Sequence, residues 1–325
     1  MREKTHGQLF NKMTMQQADP NNHDSTGKLP IAVVIVNYNA GDFLTKCVAT
    51  ILQTVDSVVI VDNASTDASL STLTARFQNE PRLRVLHNPA NLGFSAGCNI
   101  GLGATDMPYV LFLNPDCKVE KLSLIRMLQV LESDPQIGMT GGCLVNPDGT
   151  EQGGGRRIIP TPWRAFVRAT GLHHLSTFWP VLFPDFHLHK QPLPDRPVEV
   201  EAISGAMMLV RRHAIQTAGK WDEQYFLHCE DLDLCMRFRQ EGWKIMFVPS
   251  AKAVHYQGTC SKSRPFFVAW HKHKGMVYFY KKFFRRQYPG ILMHLVAAGV
   301  WLRFFIATLY YAFCYFVKFL KPKHG

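Results

Sequence analysis

From residue 31 onward, short apolar runs alternate with segments of helical period. Residues 31–36 form a β-branched run, and 42–53 carry apolar positions at helical spacing. The pair repeats: strands are predicted at 58–61, 83–86 and 109–113, helices at 68–77, 94–102 and 120–131. Strands of this length alternating with helices predict βαβ units, hence a parallel sheet covered on both faces, with right-handed crossovers. Polar residues directly after each apolar run then fall at the C-terminal edge of the sheet, where open α/β sheets bind ligands.

The alternation breaks in three places. Residues 1–29 are polar and read as a mobile tail. Residues 137–160 are glycine-rich, and the Pro-, His- and aromatic-rich stretch 156–197 reads as a long excursion of the kind that carries function. Regular patterning returns at 198–210, and 231–240 reads as a helix. Beyond residue 264, Lys272, Lys274, Lys281, Lys282, Arg285 and Arg286 interleave with aromatics, followed by apolar runs at 291–302 and 304–317 on either side of Arg303. The stretch 291–317 exceeds the roughly 20 residues a span needs. A central arginine argues against a simple span, and basic residues at both ends give no orientation. The expectation is one or two helices lying on a membrane surface with their lysines and arginines on anionic headgroups. The alternative is a helical hairpin buried in the core.

At 325 residues, 46% hydrophobic and 19% charged, the chain can bury a sizeable core. A net charge of +11 favours polyanions: nucleic acid, anionic lipid or nucleotide phosphates. The basic residues cluster beside apolar helices and not on an aromatic-interleaved sheet, which excludes nucleic acid as the expected partner. The 8 cysteines contain no C-x-x-C pair and lie in apolar stretches, as reduced thiols do. The first residues show no apolar leader segment, so no secretory signal is expected.

Three strand exits carry candidate chemistry. The run FLNPD (112–116) ends a buried strand with Asp116, a hard oxygen ligand able to hold Mg2+ or Mn2+ against a diphosphate. Read alone, Asp116 is equally a turn-forming residue. Asp62 at the second exit can accept a hydrogen bond from a nucleobase or ribose, while Asp67 can cap the next helix. Asn91, Gly93, Gly97 and Asn99 follow the third strand, where glycines permit close approach to an anion or tight helix packing. The first exit, Asn37 to Asp42, holds no G-x-G-x-x-G, and the chain has no P-loop, so nicotinamide dinucleotide and P-loop chemistry are both excluded. Downstream, Glu230, Asp231 and Asp233 open a helix. Acids there suit the dipole, but Asp231 and Asp233 point about 200° apart. Asp231 is expected to face the cleft and Asp233 to pair with Arg237 one turn on. His255, near a further strand, either completes a metal shell with Asp116 or is structural.

The motifs VVIVNYN (33–39), VDNASTD (61–67), NLGFSAGCN (91–99), FLNPD (112–116), ISGAMMLV (203–210) and FLHCEDLDLCMR (226–237) resemble the family-2 glycosyltransferases, in particular their bacterial rhamnosyltransferase-like branch. The resemblance covers about residues 31–260. It implies a GT-A nucleotide-diphospho-sugar transferase fold: α/β, a mostly parallel central sheet with helices on both faces, here followed by C-terminal amphipathic and hydrophobic helices. The catalytic domain would span 30–262, divided into a nucleotide-sugar half (30–118) and an acceptor half (119–262), with membrane-associating helices at 263–325.

It also implies an inverting transfer from a nucleotide sugar with Mg2+ or Mn2+. Asp62 then matches the base-binding carboxylate, and Asn39, Asn91, Gly93, Gly97 and Asn99 match donor contacts. Asn114 and Asp116 match the family's D-x-D element, with Asn114 in place of the first acid, so that His255 shares the metal. Asp231 matches the catalytic base, and Ser204, Gly205 and Glu230 fall on the acceptor side. The donor expected from the branch is dTDP-rhamnose, then another nucleotide hexose. The acceptor would be a saccharide or lipid-linked glycan of cell-surface polysaccharide (O-antigen, capsule or exopolysaccharide). The location would be the cytoplasmic face of the inner membrane, through 265–320. A non-catalytic glycan-binding relative is the alternative within the fold. Nothing in the residues indicates an oligomeric state.

Overall fold

The computed structural model describes residues 27–169, 172, 174, 179, 188–256, 258 and 264–320. The expected N-terminal tail, save its last three residues, and much of the 156–197 excursion lie outside them.

The first half follows the apolar pattern closely. β1 (Leu29–Asn37), α1 (Asp42–Ile51), β2 (Val55–Asp62), α2 (Ser69–Arg76), β3 (Leu83–His87), α3 (Phe94–Gly103) and β4 (Tyr109–Leu113) succeed one another with short loops. β1 pairs in parallel with β2 on one side and β4 on the other, and β3 adds beyond β2. The strand order therefore reverses between β1 and β4, and the crevice outside their C-terminal ends is where such sheets take ligands. Strand period 2 sorts β1 between two cores: Ile31, Val33 and Ile35 join one, Val34 and Val36 the other.

The second half comprises β5 (Cys117–Val119), α4 (Lys121–Glu132), β6 (Ile137–Val145), β7 (Arg156–Arg157), α5 (Pro162–Ala169), β8 (Val198–Glu199), β9 (Ala202–Ile203), β10 (Met207–Arg211), α6 (Arg212–Ala218), α7 (Glu230–Gln240) and β11 (Lys244–His255). The nine-stranded sheet runs β3-β2-β1-β4-β10-β6-β11-β5, with β8 on β11. Its parallel order ends at β4: β10 runs antiparallel to both β4 and β6, and β5 and β8 run antiparallel to β11. β7 and β9 form a separate antiparallel pair.

The glycine-rich stretch contains β6, a fully buried strand that the apolar pattern does not announce. Its glycines answer to crowding. A Cβ on Gly141 would lie 2.7 Å from Ile203, and one on Gly142 2.6 Å from the Ala251 carbonyl.

The C-terminal segment divides between the two readings. α8 (Pro265–Phe284) seals Phe279, Tyr280 and Phe284 into the second core. Lys282 ties it to α7 through Asp233 and to the preceding loop through Asp222, each at 2.6 Å. α9 (Gly290–Leu320) is one continuous helix that passes through Arg303 without a break. It is long and apolar enough to cross a membrane, and its most apolar window is 0% buried. α9 rests on α8 through Trp270, whose ring lies 5.1 Å from Trp301 and 5.7 Å from Phe304. Among the described residues seven cysteines are free thiols, six of them buried.

Candidate active site

The C-terminal edge of the parallel half is a mesh of hydrogen bonds from uncharged donors. Asn37, at the tip of β1, donates from Nδ2 to Asp62 (2.8 Å), Ser65 (3.0 Å) and Ser69 (3.0 Å). Asp62 is 3% exposed and its second oxygen accepts the Ser65 N–H. Asn39 sits in the left-handed region at φ 53° and its Oδ1 accepts the N–H groups of Thr66 (2.7 Å) and Asp67 (3.2 Å), which shapes the 63–67 loop. Asp67 accepts from Gly41 and from both the N–H and hydroxyl of Ser69. Burial opposes ionisation of Asp67, but these bonds prevail and hold its carboxyl below the usual range.

Several residues expected to touch the donor have structural work in this geometry. Asn91 accepts the Gly93 N–H at 3.0 Å, and Gly93 (φ 89°) allows the 226 loop to approach: a Cβ there would stand 2.7 Å from the Phe226 carbonyl. Phe94 N–H bonds that same carbonyl at 2.9 Å. Gly97 faces Val36, not a ligand, since its Cβ would lie 2.7 Å from a valine methyl. Asn99 gives both ends of its amide to the protein, with Nδ2 to the Trp221 carbonyl and Glu223 and Oδ1 from the Trp221 N–H. Asn99 and Gly97 thus fasten α3 in place, a correction to their reading as donor contacts. Asn39 and Asn91 act first as loop clamps.

Asp116 and His255 do meet. His255 Nε2 lies 3.2 Å from Asp116 Oδ1, with both side chains nearly buried. The other ring nitrogen, Nδ1, stands 2.6 Å from Gln152 Oε1. Gln152 has no freedom to turn over, because its Nε2 donates to Asn146 Oδ1 (3.0 Å) and to the His255 carbonyl (3.3 Å). Nδ1 must therefore carry the proton, and in a neutral ring Nε2 presents a lone pair. Asn114 Nδ2 approaches that nitrogen at 3.4 Å. A lone pair and a carboxylate oxygen at this separation can both point at one small cation. Two ligands of a small cation with bonds of about 2.0–2.1 Å at right angles stand about 3 Å apart, close to the separation observed. The pair therefore fits a divalent cation, with Gln152 in the orienting role that carboxylates and carbonyls play behind metal-bound histidines. Cys117 belongs to the same group of potential ligands. Its thiol instead points to the Ala206 carbonyl at 3.5 Å, and burial and the Asp116 charge raise its pKa well above a thiol's usual value. It is a poor ligand.

Asp231, in the first turn of α7, is held from three sides. Arg157 pairs with its Oδ2, the Gly205 N–H donates to the same oxygen at 3.2 Å, and its Oδ1 takes the Leu232 N–H at 2.8 Å. Burial lowers the Arg157 pKa and the neighbouring Asp231 charge raises it, with the rise prevailing. Gly205 also joins the two acids: Ala206, next to it, accepts the Asn114 N–H at 3.0 Å, so Asp231 and the 114–116 turn lie on either side of one short loop. Ser204 braces that loop by accepting the Ala206 N–H at 3.2 Å. Glu230 is buried with an unpartnered Oε2; burial first, then the Asp231 charge, push its carboxyl well above the carboxylate range. Asp233 pairs with Arg237 at 2.6 Å, on the face of α7 away from Asp231, as the helical spacing predicts.

Sequence reasoning missed Gln152 and Arg157. Both lie in the glycine-rich stretch, where the apolar pattern predicts no element, and each meets its partner over a long separation that no local period signals.

A doubly covered sheet with a metal-ready acid at its switch point and a second acid across one loop is the layout of a nucleotide-diphospho-sugar transferase. Among solved structures, GalNAc-T7 with UDP, GalNAc and Mn2+ aligns over 87% of this chain and 55% of its own (TM-score 0.53, 17% identity). The mannosyltransferase PcManGT of Pyrobaculum calidifontis, in complex with GDP-Man and Mn2+, aligns over 91% of this chain and 82% of its own (TM-score 0.53, 14% identity). The fold is GT-A. The glycosyl transferase family 2 profile matches residues 32–216, and that of glycosyl transferase family group 2 matches 158–320. The chain belongs to glycosyl transferase family 2 and is a glycosyltransferase. Its branch is that of the rhamnosyltransferases. It is 31% identical over 241 residues to the N-acetylglucosaminyl-diphospho-decaprenol L-rhamnosyltransferase of Mycobacterium tuberculosis, covering 70% of this chain and 76% of that one. The rhamnosyltransferase WbbL of Escherichia coli is 28% identical over 162 residues, 46% of this chain and 53% of its own.

Proposed function

We propose that this enzyme transfers L-rhamnose from dTDP-rhamnose to a lipid-linked glycan, with inversion, at the cytoplasmic face of the inner membrane during cell-surface polysaccharide synthesis. The observation that carries the chemistry is the loop 204–206, which bonds Asp231 on one side and Asn114, next but one to Asp116, on the other. The sugar preference rests on the 31% identity to the mycobacterial rhamnosyltransferase, whose name also supplies the lipid-diphosphate acceptor.

Asp231 is the base in this reading. Its Oδ1 accepts one backbone N–H and retains a lone pair for an acceptor hydroxyl. As the acceptor oxygen bonds to the anomeric carbon, its proton passes to Asp231 and the bond from that carbon to the nucleoside diphosphate breaks. Arg157 and the Gly205 N–H keep the carboxylate ionised and aimed before the acceptor arrives. Ser204, Gly205 and Glu230 border the acceptor side, while Asp62, Asn39, Asn91, Gly93 and Asn114 border the donor. Asp116 and His255 would hold Mg2+ or Mn2+, which when bound supplies charge neutralisation for the departing diphosphate.

A thermal-shift screen of nucleotide sugars with Mn2+ or Mg2+ tests donor and metal together. The expected result is metal-dependent stabilisation by dTDP-rhamnose above UDP- and GDP-hexoses. Equal or greater stabilisation by another nucleotide hexose would replace the donor, and none by any nucleotide sugar would favour a non-catalytic role.

A further inference from the structure

We propose that Lys272 of α8 and Arg303 of α9, with Arg157 behind them, bind the diphosphate of the lipid-linked acceptor between the apolar surface of α9 and Asp231. The inference rests on the glycosyl-transfer reading and adds where the acceptor's anionic linker sits.

The start of α8 is seated on the corner that leads into the base. His228 and Cys229 are both left-handed, at φ 69° and 72°, immediately before Glu230 and Asp231. The Cys229 thiol donates to the Lys272 carbonyl at 3.8 Å, and Gly275 lets α8 approach so closely that a Cβ there would stand 2.9 Å from the His228 carbonyl. On its other side α8 meets α9 through Trp270 and through His273, whose ring lies 5.5 Å from Phe304. Arg303 and Lys272 are the chain neighbours of these two rings, and both keep an exposed surface. Partial loss of water, then the Arg303 charge, hold the Lys272 pKa below the lysine range, with Arg157 acting in the same direction.

Arg303 and Arg157 thus both lie near enough to Lys272 for their charges to act on it, and Arg157 alone of the three pairs with Asp231. Arg157 is paired with Asp231, yet its Nε is buried without a partner. Neither Lys272 nor Arg303 has an acidic partner among the described residues. His228, held neutral by burial and by Lys272 with a pKa lowered to about 4, adds no charge of its own but offers an N–H. A lone cation in an apolar helix is costly and marks a functional position, and two adjacent cations repel one another until an anion joins them. A diphosphate has the charge and the acceptor oxygens to bridge both. Its attachments fit the order of surfaces: Leu302, Phe305, Ile306 and Leu309 of α9 are exposed for a polyisoprenoid chain, and Asp231 lies on the sugar's side.

The test uses the full-length protein in zwitterionic detergent without divalent cation, read by tryptophan fluorescence, since Trp270 and Trp301 flank the site. Farnesyl diphosphate is expected to bind at least 10-fold more tightly than farnesol. Arg303→Gln and Lys272→Gln should each erase that difference, Arg303→Lys should retain most of it, and stabilisation by nucleotide sugar with Mn2+ serves as the folding control. Equal affinity for farnesol and farnesyl diphosphate, or an unaltered difference in both glutamine variants, would overturn the proposal. Phosphatidylglycerol vesicles that quench as strongly as farnesyl diphosphate, with the same loss in the variants, would assign the cations to bulk lipid and overturn it too. Absence of donor stabilisation in the wild type would fault the glycosyl-transfer reading instead, and the prenyl-diphosphate readout is independent of it.

Discussion

The two halves of the sheet prepare their edges with different chemistry. Along the parallel half, Asn37, Asn39, Asn91, Ser65 and Ser69 bond to one another and to backbone, and both Asp62 and Asp67 receive only neutral donors. Along the mixed half the contacts are ionic: Asp231 with Arg157, Asp233 with Arg237 and Lys282, Asp116 with His255. A nucleoside presents neutral donors and acceptors, and a mesh of dipoles can be shaped for it in advance. In the reading proposed above, proton transfer and diphosphate departure move charge, and the ion-paired groups are those that stand next to it.

The sharpest way to break this contrast is at the base. Asp231→Asn should lower transfer by about 10²–10⁴ while stabilisation by nucleotide sugar persists; a variant with normal turnover would move the base elsewhere. Next is the residue behind the metal pair. Gln152→Leu frees His255 to rotate and should weaken Mn2+ binding by about 10–100-fold, measured by metal titration of the thermal midpoint, with transfer recovering at high Mn2+. Unchanged Mn2+ affinity would leave Gln152 only its loop contacts. On the neutral side, Gly97→Ala should cost about 1–3 kcal/mol through its contact with Val36, lowering Tm by a few degrees with donor affinity unchanged. A selective loss of donor affinity would restore Gly97 as a contact.

The smallest effect concerns Glu230. Its carboxyl is raised in the folded state, so folding retains a proton that the unfolded chain has lost. Its contribution to stability is fully present below about pH 4.5 and is lost as pH rises through the raised folded value. Glu230→Gln should therefore match the wild type in acid and exceed it at alkaline pH, in thermal midpoints taken across that range. Parallel curves would show that Glu230 ionises freely.

What the sequence disclosed follows from locality. β1, β2 and β4 are short buried runs whose next residues are the donor edge, so Asp62 and Asp116 could be placed by counting. The i, i+4 pair Asp233–Arg237 could be read likewise. β6 could not, because its glycines are selected by Ile203 and Ala251, residues that approach only after folding. Gln152–His255 and Arg157–Asp231 are equally distant in sequence, and no period announces them. Asn99 shows the converse: it closes a motif that looks made for a ligand, yet it sits within α3 and the fold turns its amide onto the 221–223 segment.

α8 also has a mechanical consequence. One of its faces is sealed into the same interior as α7, the other carries α9, and Lys282 pins it at both Asp222 and Asp233. With α9 at the bilayer, the catalytic body stands on a strut and does not swing on a tether. The height of Asp231 above the lipid would then be a built-in dimension, and, with Asp231 as the base proposed above, acceptors would be selected by reach: only a hydroxyl that projects that far from its carrier would meet it.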